Sequence, residues 1–195
     1  MATIFVVAPA RCAAPEAILH FASGTTVDGT PAMDGMRIGG GQKVHTPEGR
    51  FSELLMHGST IRVLGNANLE YDGDSAELVE GGVALTTSNQ FPVHCGCASI
   101  APVHPGKTRY LVQLEQRTVY VTSQEGDLSV KSRKKSKTVP TGKTAAVFCG
   151  AAAQEILFVG ENLPVHVIAG SVAASAIAGP VINWKMNVSG VSPDQ

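Results

Sequence analysis

The feature that most constrains this chain is a two-residue rhythm interrupted at short intervals by turn formers. Tyr110, Val112 and Leu114 alternate with Leu111, Gln113 and Glu115, and Val119 and Val121 alternate with Thr118, Tyr120 and Thr122. Side chains of a β-strand point to opposite faces in turn, so this rhythm predicts strands with one buried and one wet face. The turns between them are equally plain. Phe51 to Met56 and Thr60 to Leu64 flank His57-Gly58-Ser59, which predicts a tight hairpin. Asp72-Gly73-Asp74, Glu80-Gly81-Gly82 and Glu125-Gly126-Asp127 punctuate the runs that follow. With 21 Gly, 11 Pro and abundant Val and Thr, composition agrees with many short strands. The expected fold is all-β: an antiparallel sandwich or roll over residues 18–148. Gly58 and Gly126 are expected in hairpin turns at positions of positive φ.

The flanks read differently. Met1 to Ala14 is apolar and ends in small residues, which suits either the back half of a secretory signal or a first β-strand or frayed end; the stretch 1–17 is read as signal-like or frayed. Residues 149–162 read as a linker with a short helix, over Ala151 to Phe158. Leu163 to Trp184 contains no Asp, Glu, Lys or Arg, and exceeds the ~20 residues that a helix needs to cross a bilayer. It is expected to form a C-terminal apolar helix that anchors the chain, against a soluble reading as a buried helix or terminal strands. Residues 185–195 are a tail.

Charge excludes some partners. Only 16% of residues are charged and the net charge is −1, so no global field attracts nucleic acid. Lys131, Arg133, Lys134, Lys135 and Lys137 form the single dense cationic run. It suits contact with an anionic surface such as lipid headgroups, or a solvated hairpin tip blunted by lysines against edge-to-edge association. No aromatic residues interleave with it to stack bases, so nucleic acid is not expected.

Cysteine and histidine leave three readings open. His94, Cys95, Cys97 and His104 are close in sequence, but Cys-x-Cys is not the usual zinc knuckle and no second cysteine pair exists. Cys95 and Cys97 are expected on one face of a strand. They can remain thiols, hold a metal, or form a disulfide with Cys149 in an oxidising compartment; no metal or other cofactor is expected. Gly142-Lys143-Thr144 lacks the upstream glycine and strand-to-helix setting of a phosphate loop. No Gly-x-Ser-x-Gly elbow surrounds Ser59, and no carboxylate pair suggests acid–base chemistry, so catalysis is not expected.

The order of turns and strands resembles the FecR domain. Gly41, Val44, Thr46 and Gly49 match its opening. Leu54 to Met56, Gly58-Ser59, Ile61 to Leu64 and Asn66 match the next strand, turn and strand. Leu78, Gly81, Val83 and Leu85 follow, and Val119, Val121, Gly126, Leu128, Val130 and Gly142 match the closing hairpin and turn. The resemblance covers about half of the chain. It implies a non-enzymatic interaction or sensory module of the bacterial cell envelope, periplasmic or extracellular, with a protein partner or self-association. Well-known members carry an N-terminal cytoplasmic region that acts on a sigma factor. Too few residues precede the β-domain here for such a region, so the arrangement is more similar to small envelope forms with a C-terminal apolar segment. A self-assembling structural protein and a small-ligand-binding β-roll are the alternatives.

Overall fold

The computed structural model describes residues 16–133, 135–150 and 156–161. These residues contain seventeen strands and no helix. The first part of the chain supplies β1 (Ala17–His20), β2 (Thr26–Val27), β3 (Thr30–Pro31), β4 (Arg37–Ile38), β5 (Gln42–Thr46), β6 (Ser52–Met56), β7 (Ser59–Val63) and β8 (Ala67–Tyr71). Then come β9 (Ala76–Thr87), β10 (Val93–Cys95), β11 (Ala98–Pro102), β12 (Thr108–Glu115), β13 (Thr118–Glu125), β14 (Leu128–Ser132), β15 (Ser136–Val139), β16 (Lys143–Phe148) and β17 (Ile156–Glu161).

Backbone pairing arranges them as two sheets that share β9. The first sheet runs β4-β1-β6-β7-β9-β12-β13-β16-β17. The second runs β3-β2-β5-β8-β9-β10-β11-β14-β15. From β10 onward the chain visits the sheets in pairs of strands, so hairpins of one sheet lie over hairpins of the other. Pairing is antiparallel with one exception: β10 runs parallel to the first half of β9, Val93 opposite Ala76 and Cys95 opposite Leu78. The expectation of a purely antiparallel fold is corrected there. The polar loop after Thr87 carries the chain back across the molecule before it pairs with β9 again.

The alternation predicts the core. Leu19, Leu54, Ile61, Val83, Leu85, Val112, Val119 and Val121 of the first sheet are buried against Val44, Leu69, Leu78, Val93, Ile100, Leu128 and Val130 of the second, in one continuous cluster. Each such side chain contributes about 1.5–3 kcal/mol by leaving water. Tyr110 is also buried, and its hydroxyl donates to the Phe91 carbonyl oxygen at 3.1 Å. That bond satisfies a polar group that burial would otherwise penalise.

The 12-residue β9 holds the two layers together. Its first half, to Glu80, pairs with β8, and from Gly81 onward it pairs with β12. Gly81 marks the crossing at φ +78, and a Cβ there would lie 2.5 Å from the Asn66 carbonyl oxygen and 2.7 Å from Ala67 Cα. Only glycine fits both the backbone angle and the close approach. The hairpin read at His57 and Gly58 is present between β6 and β7, with φ +75 at Gly58. The hairpin expected at Gly126 is corrected: at φ +80 this glycine carries the chain from β13 of the first sheet to β14 of the second, and the two strands pair with other neighbours.

One element overturns its reading. Ile156–Glu161, expected within a linker and short helix, is strand β17, with Ala146 opposite Leu157 and Val147 opposite Ile156. Pairing to the apolar edge of β16 outweighs the helix preference of the alanines before it. Of the signal-like start, residues 1–15 lie outside the described residues, as does the apolar segment Leu163 to Trp184, while Ala17 already belongs to β1. Among the described residues no helix is long and apolar enough to cross a membrane.

Candidate functional site

The cationic run occupies the turn between β14 and β15. Ser132 N–H donates to the Lys135 carbonyl oxygen at 2.8 Å and closes this hairpin. Lys131, Arg133 and Lys135 are exposed, and none has an ion-pair partner among the described residues; Lys134 lies outside them. Lys137 departs from the group. It sits opposite Val130 in the ladder and so points inward, where its ammonium lies 3.8 Å from the centre of the Phe158 ring and donates to the Ile156 carbonyl oxygen at 3.4 Å. Within the run, the exposed cations without an ion-pair partner among the described residues are therefore Lys131, Arg133 and Lys135.

The cysteines also separate. β10 ends at Cys95, whose side chain is fully buried in the core. Burial pushes its thiol up to about 12, with the nearby Glu77 carboxylate adding to the shift. Cys97 lies beyond the strand end, in the turn to β11, and forms a disulfide with Cys149, Cα to Cα 5.4 Å. The expected common face for Cys95 and Cys97 is therefore corrected: Gly96, at φ +55, turns the chain between them. The bond joins the β10–β11 hairpin of one sheet to the end of β16 in the other. His94 is exposed on the opposite side of β10 from Cys95. Among the described residues no group of three or more His, Cys, Asp or Glu converges as a metal site.

A depression lined by His104, Pro105, Gly106, Lys107, Thr108, Gly126 and Asp127 is open and shallow. Two of its charged side chains are already engaged. Lys107 pairs with Glu125 at 3.1 Å, and Asp127 Oδ1 accepts from Thr141 N–H at 3.0 Å. Nothing in it sets a nucleophile against a base.

The outer face of the first sheet carries a more informative group, which the sequence did not single out. Ile18 and Leu55 are lateral partners on β1 and β6, and both are exposed. Beyond the next outward pair on the same two strands, His20 and Glu53, the Phe21 and Phe51 rings lie 5.3 Å apart with an interplanar angle of 46°. Arg62 stacks over Phe51 at 4.7 Å while its Nε donates to Glu53 at 2.8 Å. Phe21 is 54% exposed and holds φ +56, a left-handed backbone that a bulky side chain rarely adopts. The strained backbone keeps an aromatic ring in solvent beside a second one. The available signal was position: both phenylalanines stand next to turns, outside the alternating inward positions.

No protein-family model and no curated protein sequence matches this chain. Among solved structures it is similar to an inferred anti-sigma factor from Parabacteroides distasonis ATCC 8503, determined at 1.65 Å, with a TM-score of 0.52 and 16% identity over 61% of this chain and 59% of that one. A structure of an inferred anti-sigma factor from the same organism at 2.50 Å gives a TM-score of 0.52 and 17% identity over the same shares. The chain thus spans 59% of the length of these neighbours. At that identity the likeness is one of fold: an all-β domain built as in the anti-sigma-factor structures.

Proposed function

We propose that this chain is a non-enzymatic interaction module of the bacterial cell envelope, of the FecR-domain kind, which recognises a protein partner through the Phe21–Phe51 patch. The observation that carries the reading is the exposed aromatic pair flanked by Arg62 and Glu53. Aromatic and arginine side chains dominate the energetics of protein interfaces, and exposed apolar groups that cluster mark such sites. A strained backbone at Phe21 fits a residue retained for contact. The fold shared with anti-sigma-factor structures supports a regulatory or sensory role. A disulfide between the sheets supports an oxidising compartment. Leu163 to Trp184 then serves as the membrane anchor, with the β-domain on its outer side.

Two measurements in the producing bacterium test this. A photo-crosslinking amino acid at Leu55 should yield discrete adducts that vanish in Phe21→Ala/Phe51→Ala, whereas one at Gln124, exposed on β13, should yield none. Equal labelling at Leu55 and Gln124 rejects the patch. Alkylation of intact cells should leave Cys97 and Cys149 unmodified until a reductant is added. Direct alkylation of both rejects the envelope location.

A further inference from the structure

The outer face of the second sheet has a different design. One row of lateral partners crosses it from strand to strand. Lys43 is opposite Glu70, Glu70 opposite Glu77 and Glu77 opposite His94. His94 is opposite Ser99, Ser99 opposite Lys131 and Lys131 opposite Ser136. These residues alternate with buried neighbours such as Val44, Leu69, Leu78, Val93, Ile100 and Val130, so the row faces solvent.

The row is bipolar. Glu70, Glu77 and Glu80 stand on one side, and Lys131, Arg133 and Lys135 on the other. Glu70 is held by Lys43 at 3.6 Å, and Glu80 accepts from Asn68 Nδ2 at 2.8 Å. Glu77 and Lys131 have no ion-pair partner among the described residues. Three strand spacings separate them, about 14 Å at ~4.8 Å each, so they do not meet within one chain.

A two-fold axis parallel to the strands, midway between His94 and Ser99, changes that. It places Glu77 of one copy over Lys131 of the other, and the reverse, with His94 facing Ser99. β9 and β14 run in the same direction, because β10 is parallel to β9 and two antiparallel steps follow. Glu80 lies beyond Glu77 on the side where Arg133 lies beyond Lys131. The same operation therefore brings Glu80 over the cationic tip. The pattern is complementary to itself, as an interface between identical copies requires.

We propose that two copies of this chain associate face to face through the outer surface of the second sheet, paired by Glu77 with Lys131 and by Glu80 with Arg133 and Lys135. A partner of one charge sign, such as an anionic membrane, is attracted at one end of the row and repelled at the other. A second copy reversed by the axis is attracted at both. Val79 is the large exposed apolar side chain on this face, so little apolar area is buried and the pairing depends on charge. It belongs with small, transient interfaces, below about 1,200 Å² in total. This face is separate from the Phe21–Phe51 patch, and its failure leaves that patch untouched.

Sedimentation of the full chain in a nonionic detergent tests the proposal. A monomer–dimer equilibrium is expected at low salt, its association constant falling at least about tenfold when ionic strength rises to ~0.5 M. Glu77→Lys and Lys131→Glu should each abolish self-association. Mixed, they should form a heterodimer, since one then presents a basic face and the other an acidic one. The double swap in one chain should restore the homodimer. Three outcomes overturn the proposal: a monomer at low salt; association indifferent to salt and to both reversals, which assigns it to another surface; or a monomer that binds phosphatidylglycerol vesicles. Both residues are exposed, so the variants are expected to fold. Heterodimer formation in the mixture checks that they have.

Discussion

The Lys137 ammonium lies over the face of the Phe158 ring, 3.8 Å from its centre, and reaches the Ile156 carbonyl oxygen. Lys137 belongs to β15 and Phe158 to β17, the last strands of the two sheets at one side of the sandwich. An unpaired edge strand is a template for unwanted pairing. Here one side chain ties the two edges together and places a charge at the opening between them.

Lys137→Ala should therefore lower stability by about 1 kcal/mol, the usual worth of a cation over an aromatic ring at a partly exposed site. Lys135→Ala, at the hairpin tip, should change it by less than about 0.5 kcal/mol. Urea midpoints of the two variants check this; equal losses contradict the clamp.

The Cys97–Cys149 bond closes a span of 52 residues and joins the sheets. Its loss should cost roughly 2–4 kcal/mol, because the unfolded chain regains the freedom of that loop. Denaturant midpoints should fall when a reductant is added to the wild type. Cys97→Ser/Cys149→Ser should start at the lower midpoint and ignore the reductant.

Gly81 and Gly142 make a paired test of the strand crossing. Both have positive φ, +78 and +77, but a Cβ at Gly142 meets nothing within 4 Å, whereas at Gly81 it meets the backbone of Asn66 and Ala67. Gly142→Ala should cost about 1 kcal/mol from the left-handed backbone alone. Gly81→Ala adds overpacking and should cost at least about 2 kcal/mol more. Equal losses in thermal unfolding would show that the crossing tolerates a side chain.

Alkaline pH should loosen the fold through Cys95. Its folded thiol is raised to about 12 from a usual 9.0, by burial first and then by Glu77. Above pH 9 the unfolded chain gives up that proton while the folded chain keeps it. The unfolded state then binds fewer protons, and stability falls as pH rises from about 9 toward 12. Below pH 9 the thiol contributes no such slope. Cys95→Ala should flatten the fall in unfolding free energy between pH 8.5 and 10.5 without abolishing it. Burial also raises the Tyr110 hydroxyl and, together with Asp74, the Tyr71 hydroxyl above their usual value of 10.0.

The class of structure and the buried face of many strands follow from local sequence pattern. Val112, Val119 and Val121 are buried because alternation is a local property, read two residues at a time. Turns at His57-Gly58 and around Gly126 are local for the same reason. Tertiary structure alone decided which strands meet, because pairing joins residues far apart in sequence. The parallel match of β10 to β9 leaves no mark in either strand's pattern. Leu157 and Phe158 look compatible with helix until β16 offers them an edge. Lys137 belongs to a charge run by sequence, and only its ladder position opposite Val130 turns it inward. Cys97 found Cys149 because two sheets bring a turn and a strand end to 5.4 Å, a proximity that no local pattern encodes. The Phe21–Phe51 patch and the bipolar row of the second sheet arise in the same way, from lateral neighbours that the fold alone assembles.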